Sequence, residues 1–213
     1  MKKNIVMTCI VAGVITCLLL ISSCTTDGEG NDNDMLLGVW LSNDADERWT
    51  FNSDGTFLVE TFTGSWNPFM NGTFSYSDTT HQLTLNSGGT IIMDLLLNAS
   101  GDRMAQGVDA LRGGDTGTLL GTWVGENRLP SATHTRTWTF TAGTISLHEV
   151  VSGISDDSAS GTVVIDTFGK TFTVSGSTGA STLSDGIYNY MVIGDGVTVS
   201  DDQGEPLEYF DRL

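Results

Sequence analysis

Few residues of this 213-residue chain have the types and spacing that catalysis or metal binding requires. The three histidines, His81, His134 and His148, show neither an H-x-H nor an H-E-x-x-H spacing, so they do not predict a zinc site. No G-x-S-x-G elbow presents a serine nucleophile, and no acidic loop has the ligand spacing of a calcium site. The sequence therefore predicts a protein that is not an enzyme and that uses no metal or cofactor. A hydrolase with a dispersed Ser/His/Asp set is the distant alternative.

Cysteine is the one residue type whose position predicts a chemical modification. Lys2 and Lys3 precede an uncharged apolar run over residues 5–21, and two serines then precede Cys24. A basic region, an apolar region and small residues at the cut are the parts of a secretory signal, so residues 1–23 are predicted to be removed. An uncleaved anchor helix is the alternative, because the run has almost the length of a membrane span. Cleavage leaves Cys24 as the only cysteine, and the mature chain then forms no internal disulfide.

The end of this signal resembles a bacterial lipobox, in which an aliphatic residue and two small residues stand before the cysteine. The resemblance implies that the thiol of Cys24 carries acyl chains of the palmitate type and anchors the mature protein to a membrane. Two or three such chains hold far more firmly than one, since each buried methylene contributes about 0.8 kcal/mol. The next residues, TTDGEGNDND, contain no large apolar side chain, so residues 24–35 are predicted to form a flexible acidic tether.

Charge narrows the class of partner and the location. The chain has 9 basic and 26 acidic residues, a net charge of -17, and loss of the signal removes two of the lysines. Nucleic acid and anionic lipid surfaces are therefore excluded as partners that bind through a basic patch. Acidic residues soon after the lipidated cysteine resemble the export signals of Bacteroidota lipoproteins. That resemblance implies an outer-membrane lipoprotein, on the periplasmic face or at the cell surface.

The most regular strand of the sequence offers two polar groups for ligand binding. Residues 133–141 alternate strictly between threonine and a larger residue, as a strand with one buried face does. One face of that strand carries His134, Arg136, Trp138 and Phe140. If this face points inward, His134 and Arg136 lie at a barrel mouth above an aromatic floor, as in a ligand pocket. If it points outward, or if Arg136 pairs with an acidic loop, the two residues have no such role.

A second candidate is the predicted loop over residues 66–70, with the sequence WNPFM. Its large apolar side chains are Trp66, Phe69 and Met70. Three interpretations stay open: these side chains cap a ligand pocket, contact a partner, or fold back as a lid on a small core.

The strands that carry both candidates belong to a sequence repeat. Leu36-Leu37-Gly38-Val39-Trp40 recurs as Leu119-Leu120-Gly121-Thr122-Trp123. With a shift of 89 residues, Trp49 falls on Trp138, and later apolar positions keep the same alternation in both copies. Period-two alternation and frequent glycine turns predict an all-β chain of short antiparallel strands.

The repeat predicts two β domains, over residues 36–108 and 119–213, joined by a Gly-rich linker over residues 109–118. Each domain is predicted to close on itself, because an open meander leaves unpaired strand edges. The alternative is one larger closed sheet that both halves share.

The motifs of each repeat resemble the lipocalin-like domains of Bacteroidota lipoproteins. They are G-x-W at the head of the first strand, an aromatic second strand, an S-D-G-T hairpin and a late G-x-Y/F strand. The resemblance implies two tandem small antiparallel β-barrels, with structural roles for Gly38, Trp40, Gly121 and Trp123. In lipocalins this tryptophan packs against an arginine of the last strand. That pattern assigns Arg212 to Trp123 and leaves Arg103, beside a turn, as the candidate for the first repeat.

Two functions follow as expectations. The first is a non-enzymatic outer-membrane lipoprotein that binds a small apolar or amphipathic ligand inside a barrel. The second is an envelope structural or protein-interaction module with filled barrels and no ligand. The sequence specifies neither the ligand, nor the protein partner, nor the oligomeric state.

Overall fold

The computed structural model describes residues 32–200 and 210–212. The predicted signal peptide, Cys24 and most of the predicted tether lie outside these residues. Within them, fifteen antiparallel strands and two short 3₁₀ helices, Asp32–Met35 and Gly107–Asp109, account for the regular structure, which confirms the all-β class. No helix in this described part is long and apolar enough to cross a membrane.

Seven strands form the first half of the fold. They are β1 (Gly38–Ser42), β2 (Glu47–Phe51), β3 (Thr56–Phe62), β4 (Trp66–Ser77), β5 (Gln82–Asn86), β6 (Thr90–Leu97) and β7 (Arg103–Gln106). Each pairs with the next along the chain, as tight hairpins dictate.

The second half repeats this meander. Its strands are β8 (Gly121–Arg128), β9 (Thr133–Phe140), β10 (Thr144–Val151), β11 (Ser155–Asp166), β12 (Thr171–Gly179), β13 (Gly186–Ile193) and β14 (Gly196–Val199), and the last described strand is β15 (Phe210–Arg212). β4 and β11 have the same length of 12 residues and are offset by the 89 residues of the sequence repeat.

Each half has its own apolar core, built from the inward-facing residues of its strands. The first core includes Trp49, Phe51 and Leu83, and the second includes Trp138, Phe140 and Phe172 at the repeated positions. The alternation predicted from the sequence thus puts the same face inward in both copies. The two cores are separate, but one sheet runs through both halves, because β6 also pairs with β8.

The sheet as a whole is open, and its order runs from β14 at one end to β7 at the other. Within it, β7 pairs with both β6 and β15, and β15 pairs with β1. Hydrogen bonding therefore runs round a ring of eight strands, β1 to β7 and β15. In the second half, residues 111 and 112, here called the linker segment, bridge β14 to β8 in the same way.

The eighth strand of each ring comes from the other half of the chain. β15 pairs with β7 at Met104 and with β1 at Trp40. The linker segment pairs with β14 at Val197 and with β8 at Val124, the residue after Trp123. The two segments therefore occupy equivalent positions and are exchanged between the halves. The predicted linker over residues 109–118 takes part in the sheet, and the last strand of the predicted second domain completes the first half.

The paired L-L-G-x-W motifs form the same local structure twice. The indole nitrogens of Trp40 and Trp123 donate to the carbonyl oxygens of Leu36 and Leu119, at 2.8 and 3.0 Å, and both rings are fully buried. The glycine two residues before each tryptophan has a φ of +126° or +113°, which favours glycine over residues with a Cβ. Both motifs therefore combine a buried indole with a glycine at positive φ at the start of the first strand of each half.

The strand exchange also corrects the assignment of Arg212 to Trp123. The Arg212 guanidinium carbon lies 4.8 Å from the centre of the Trp40 ring, because β15 runs beside β1 and not beside β8. Trp123 is instead covered by backbone: a Cβ at Gly114 would lie 2.1 Å from its Cε2 atom. Arg103, the sequence candidate for Trp40, donates to the sulfur of Met191 at 3.6 Å.

Candidate functional site

The structure places the predicted ligand-binding residues in two separate regions. His134 and Arg136 lie in β9 of the second half, whereas Trp66, Phe69 and Met70 lie in β4 of the first half. The two sets belong to different strand rings, and the structure does not bring them together at one site.

The β9 face with Arg136 points into the second core. Arg136 is 8% exposed, next to the buried Trp138, and its Nε donates to Glu149 Oε1 at 3.0 Å. The other oxygen of Glu149 accepts hydrogen bonds from the backbone nitrogen and the hydroxyl of Thr182, at 3.2 and 2.9 Å. Burial alone would raise the pKa of the Glu149 carboxyl, but these hydrogen bonds and the Arg136 charge outweigh it and hold that pKa below its usual range.

A loop over residues 180–185 covers this end of the second ring. Leu183 of the loop is 6% exposed and belongs to the second core. The Tyr188 hydroxyl accepts from the backbone nitrogen of Ser184 at 2.9 Å and donates to its carbonyl oxygen at 3.0 Å. Arg136 therefore lies beneath a hydrogen-bonded loop and beside a carboxylate, while His134 is partly buried at the start of the strand. The predicted barrel mouth is occupied by the chain itself.

Aromatic side chains fill the interior below Arg136. The Phe172 ring lies parallel to the Tyr188 ring at 5.0 Å and edge-on to Phe140 at 5.0 Å. In the first half, Phe51 meets Phe74 edge-on at 4.8 Å. Both cores are therefore packed by the protein's own rings, in geometries that aromatic pairs prefer.

The aromatic residues of the first half that reach solvent gather on the outer face of β2, β3 and β4. Arg48 donates to Glu60 Oε2 through Nε at 2.8 Å and Nη2 at 2.6 Å. The Arg48 guanidinium carbon lies 4.5 Å from the centre of the Trp66 ring, and that ring lies 5.3 Å from the Phe62 ring. Phe62 is 47% exposed and Phe69 is 71% exposed. We call these five residues the Trp66 patch.

Residues 66–70, which were predicted as a loop, contain a β-bulge of β4, and their side chains lie partly on the surface and partly against the core. Val59 pairs with Met70, but the next residue, Glu60, pairs with Pro68, so Phe69 is the extra residue of the bulge. Met70 packs against the first core, while Phe69 is exposed. Residues 66–70 are thus a bulged strand and not a loop, and of the three candidates only Met70 folds onto the core.

The second half has no such patch at the equivalent positions. The strand registers put Val59 beside Trp49 and Leu147 beside Trp138, so Thr137 matches Arg48 and His148 matches Glu60. Val150 takes the place of Phe62 by the same register. Because the fold repeats without these residues, the Trp66 patch is not a requirement of the fold.

Sequence reasoning missed Arg48, Glu60 and Phe62. The signal was available, because the turn at Gly55 fixes the register of the β2–β3 hairpin and places residues 48 and 60 opposite each other. Arg48 also has the opposite alternation phase to the buried Trp49, which puts its side chain on the outer face.

The basic residues beyond the predicted signal peptide are all engaged within the protein. Their partners are Glu60 for Arg48, Glu126 for Arg128, Glu149 for Arg136, Asp195 for Arg112, Met191 for Arg103, the Tyr190 ring for Lys170 and the Trp40 ring for Arg212. These seven face 26 acidic residues. The outer surface therefore has a strong excess of negative charge.

In the described ranges, 32–200 and 210–212, no group of three or more His, Cys, Asp or Glu side chains converges to hold an ion. Comparison of the chain with family models, with curated proteins and with solved structures finds no match in any of the three.

Proposed function

We propose that this protein is a non-enzymatic, lipid-anchored envelope protein that binds a protein partner through the Trp66 patch. One observation carries the proposal. The second half of the fold repeats the first with small or polar residues at the matching positions, whereas the patch keeps Phe62 and Phe69 exposed beside a stacked arginine. Nothing in the fold requires those costly exposed side chains, so binding is their best explanation.

The chemistry of the patch is that of a protein-binding centre. Binding energy at protein interfaces concentrates in Trp, Tyr and Arg residues, with surrounding contacts that exclude water. Arg48 is held in place by Glu60 and by the Trp66 ring, so little side-chain entropy is lost when a partner covers it. Phe62 and Phe69 add apolar area around this fixed centre.

The partner's contact surface is expected to combine an apolar centre with a basic rim. Every basic residue beyond the predicted signal already has a partner within the chain, and the chain carries a net charge of -17, so its surface has an excess of negative charge. Complementary charge speeds association and makes it sensitive to salt. Binding should therefore weaken as ionic strength rises.

Packed interiors favour this function over carriage of a small ligand. The 180–185 loop covers the predicted barrel mouth, and buried aromatic rings occupy the space that a carried molecule would need. Native mass spectrometry of the unlipidated chain over residues 25–213 tests the point. A stoichiometric lipid or metabolite that co-purifies would overturn the proposal and restore carriage.

The lipid anchor is part of the proposal and rests on the lipobox-like residues before Cys24. The lipocalin-like assignment and the outer-membrane location likewise rest on motifs of the sequence. Cys24→Ser should abolish acyl labelling and release the protein from membranes. Unchanged membrane association of this variant would mean that an uncleaved helix holds the protein instead.

A photo-crosslinking amino acid at position 69 of the acylated protein, in its native cells, tests the patch directly. Phe168 is the matched control, because it is an exposed aromatic residue in a hairpin of the second half. We expect one dominant protein adduct from position 69, none from position 168, and loss of the adduct when Trp66→Ser is added. No adduct from position 69, or the same adducts from both positions, would contradict a dedicated patch.

A further inference from the structure

We propose that the slot between β1 and β7 is a strand-binding site that accepts β15 from a second copy of this chain as well as its own. In the described structure this slot holds only the three residues Phe210–Arg212. The proposal concerns assembly, lies on other strands than the Trp66 patch, and does not rest on the proposed function.

The slot recognises β15 through its backbone and through one side chain. β1 pairs with it at three positions, Trp40 with Arg212, Leu41 with Asp211 and Ser42 with Phe210, and β7 pairs with it at two. These pairs supply the sequence-independent part of the binding, as in any strand added to an open edge.

The side chain of Arg212 makes the binding of β15 sequence-specific. Its guanidinium lies over the Trp40 ring, and Nη2 donates to the carbonyl oxygens of Met35 and Leu37 at 2.8 and 2.7 Å. Gly38 lies beside the arginine, and a Cβ there would be in ordinary van der Waals contact with Arg212 Nε, at 3.6 Å. The site thus selects an extended strand that carries an arginine opposite Trp40.

The exchange seen within one chain shows that the slot does not need a strand from its own half. β15 follows the second half and fills the first ring, and the linker segment follows the first half and fills the second. Two similar units that exchange segments at equivalent positions resemble a domain-swapped dimer, here within one polypeptide, although β15 and the linker segment differ in sequence.

If two chains exchange their β15 strands, each slot has the same contacts with β15 as it has in the monomer. The balance between the two forms is then set by concentration, since β15 of the same chain competes at its effective local concentration against β15 of other chains. Monomers with β15 in their own slot are expected when the protein is dilute. Dimers that exchange β15 are expected after refolding at high concentration.

A disulfide across the β1–β15 ladder distinguishes the two forms in the full unlipidated chain. Leu41→Cys and Asp211→Cys, combined with Cys24→Ser, place the only two thiols of the mature chain at paired positions. After refolding and oxidation, we expect cross-linked monomers at low concentration and a several-fold rise of cross-linked dimers at hundredfold higher concentration.

The control pair is Val39→Cys with Thr50→Cys in the same background, which lies across the local β1–β2 hairpin. It should give cross-linked monomers at every concentration. If the β1–β15 pair also gives only monomers at every concentration, β15 does not exchange between chains and the proposal is wrong.

A peptide in trans tests the specificity of the slot. A chain that ends at Gly204 should bind a synthetic peptide of residues 205–213, and Arg212→Ala in that peptide should weaken binding at least tenfold, because it removes the contacts with Trp40 and two carbonyl oxygens. A folded truncated chain that binds both peptides alike, or neither, would contradict a strand-binding site. If truncation prevents folding, the disulfide experiment decides alone.

Discussion

The buried ion pair between Arg136 and Glu149 allows a quantitative test of the second core. The two side chains are only 10% and 11% exposed, so loss of one partner leaves a charge in a poorly solvated place and costs about 3 to 5 kcal/mol. Glu149→Leu should lie at the upper end of this range. Arg136→Met should lie at the lower end, because the carboxylate keeps its two hydrogen bonds from Thr182.

The double variant, with Arg136→Met and Glu149→Leu together, should be far less destabilised than the sum of the single variants. Removal of both residues leaves no unpaired charge from the pair, and the two Thr182 donors lose their acceptor, so the free energy of unfolding of the double variant should lie within about 2 kcal/mol of the wild type. Urea unfolding followed by tryptophan fluorescence, on the unlipidated chain at neutral pH, measures all four forms. If the stability loss of the double variant equals the sum of the two single losses, the interaction between Arg136 and Glu149 is not the cause of the single losses.

The same pair predicts the direction of a pH dependence. Because the folded-state pKa of Glu149 is lowered, its stabilisation is complete above the pKa of an unfolded glutamate, about 4.3. It is lost as the pH falls through the lower folded value. The difference in stability between the wild type and Glu149→Gln should therefore shrink from pH 6 towards pH 3. A constant difference over that range would mean that the carboxylate charge contributes nothing.

Two further predictions compare matched variants in the second half. Gly114→Ala should destabilise the protein by about 1 to 3 kcal/mol, because its Cβ would overlap the Trp123 ring, whereas the open position Gly143 should tolerate alanine; thermal unfolding of both variants checks this. The Tyr190 hydroxyl is buried without a hydrogen-bond partner among the described residues, so Tyr190→Phe should be neutral or stabilising. Tyr188→Phe removes two hydrogen bonds to the covering loop and should cost about 1 to 2 kcal/mol by urea unfolding. A larger loss of unfolding free energy for Tyr190→Phe than for Tyr188→Phe would contradict both assignments.

Local sequence signals were sufficient for most of the strands and for their buried faces. Trp49 and Trp138 are both buried, and the alternation around them has the same phase in the two copies. Period-two alternation reports which face of a strand is apolar, and glycine turns set where each hairpin reverses. These features depend on neighbours in the chain, so a single sequence contains them.

The strand exchange could not be predicted in this way. β15 has three residues and the linker segment has two, which is too short for any alternation to be visible. The lipocalin pattern assigns an arginine of the last strand to the tryptophan of its own domain. Which ring Arg212 enters is decided by pairing over more than 170 residues of sequence separation, as its hydrogen bonds to Met35 and Leu37 show. That choice belongs to the tertiary structure.

Only part of the Trp66 patch could be predicted from the sequence, because the rest depends on how the strands pair. The aromatic residues Trp66 and Phe69 are conspicuous in the sequence, but Arg48 becomes relevant only when the hairpin register places it opposite Glu60. The pairs Trp49 with Trp138 and Phe51 with Phe140 repeat between the halves, face inward and serve the two cores. Arg48 and Thr137 differ and face outward. Core packing constrains the inward-facing repeated positions but not the outward-facing ones. A surface for a partner therefore has to be sought at outward-facing positions where the two halves differ in sequence.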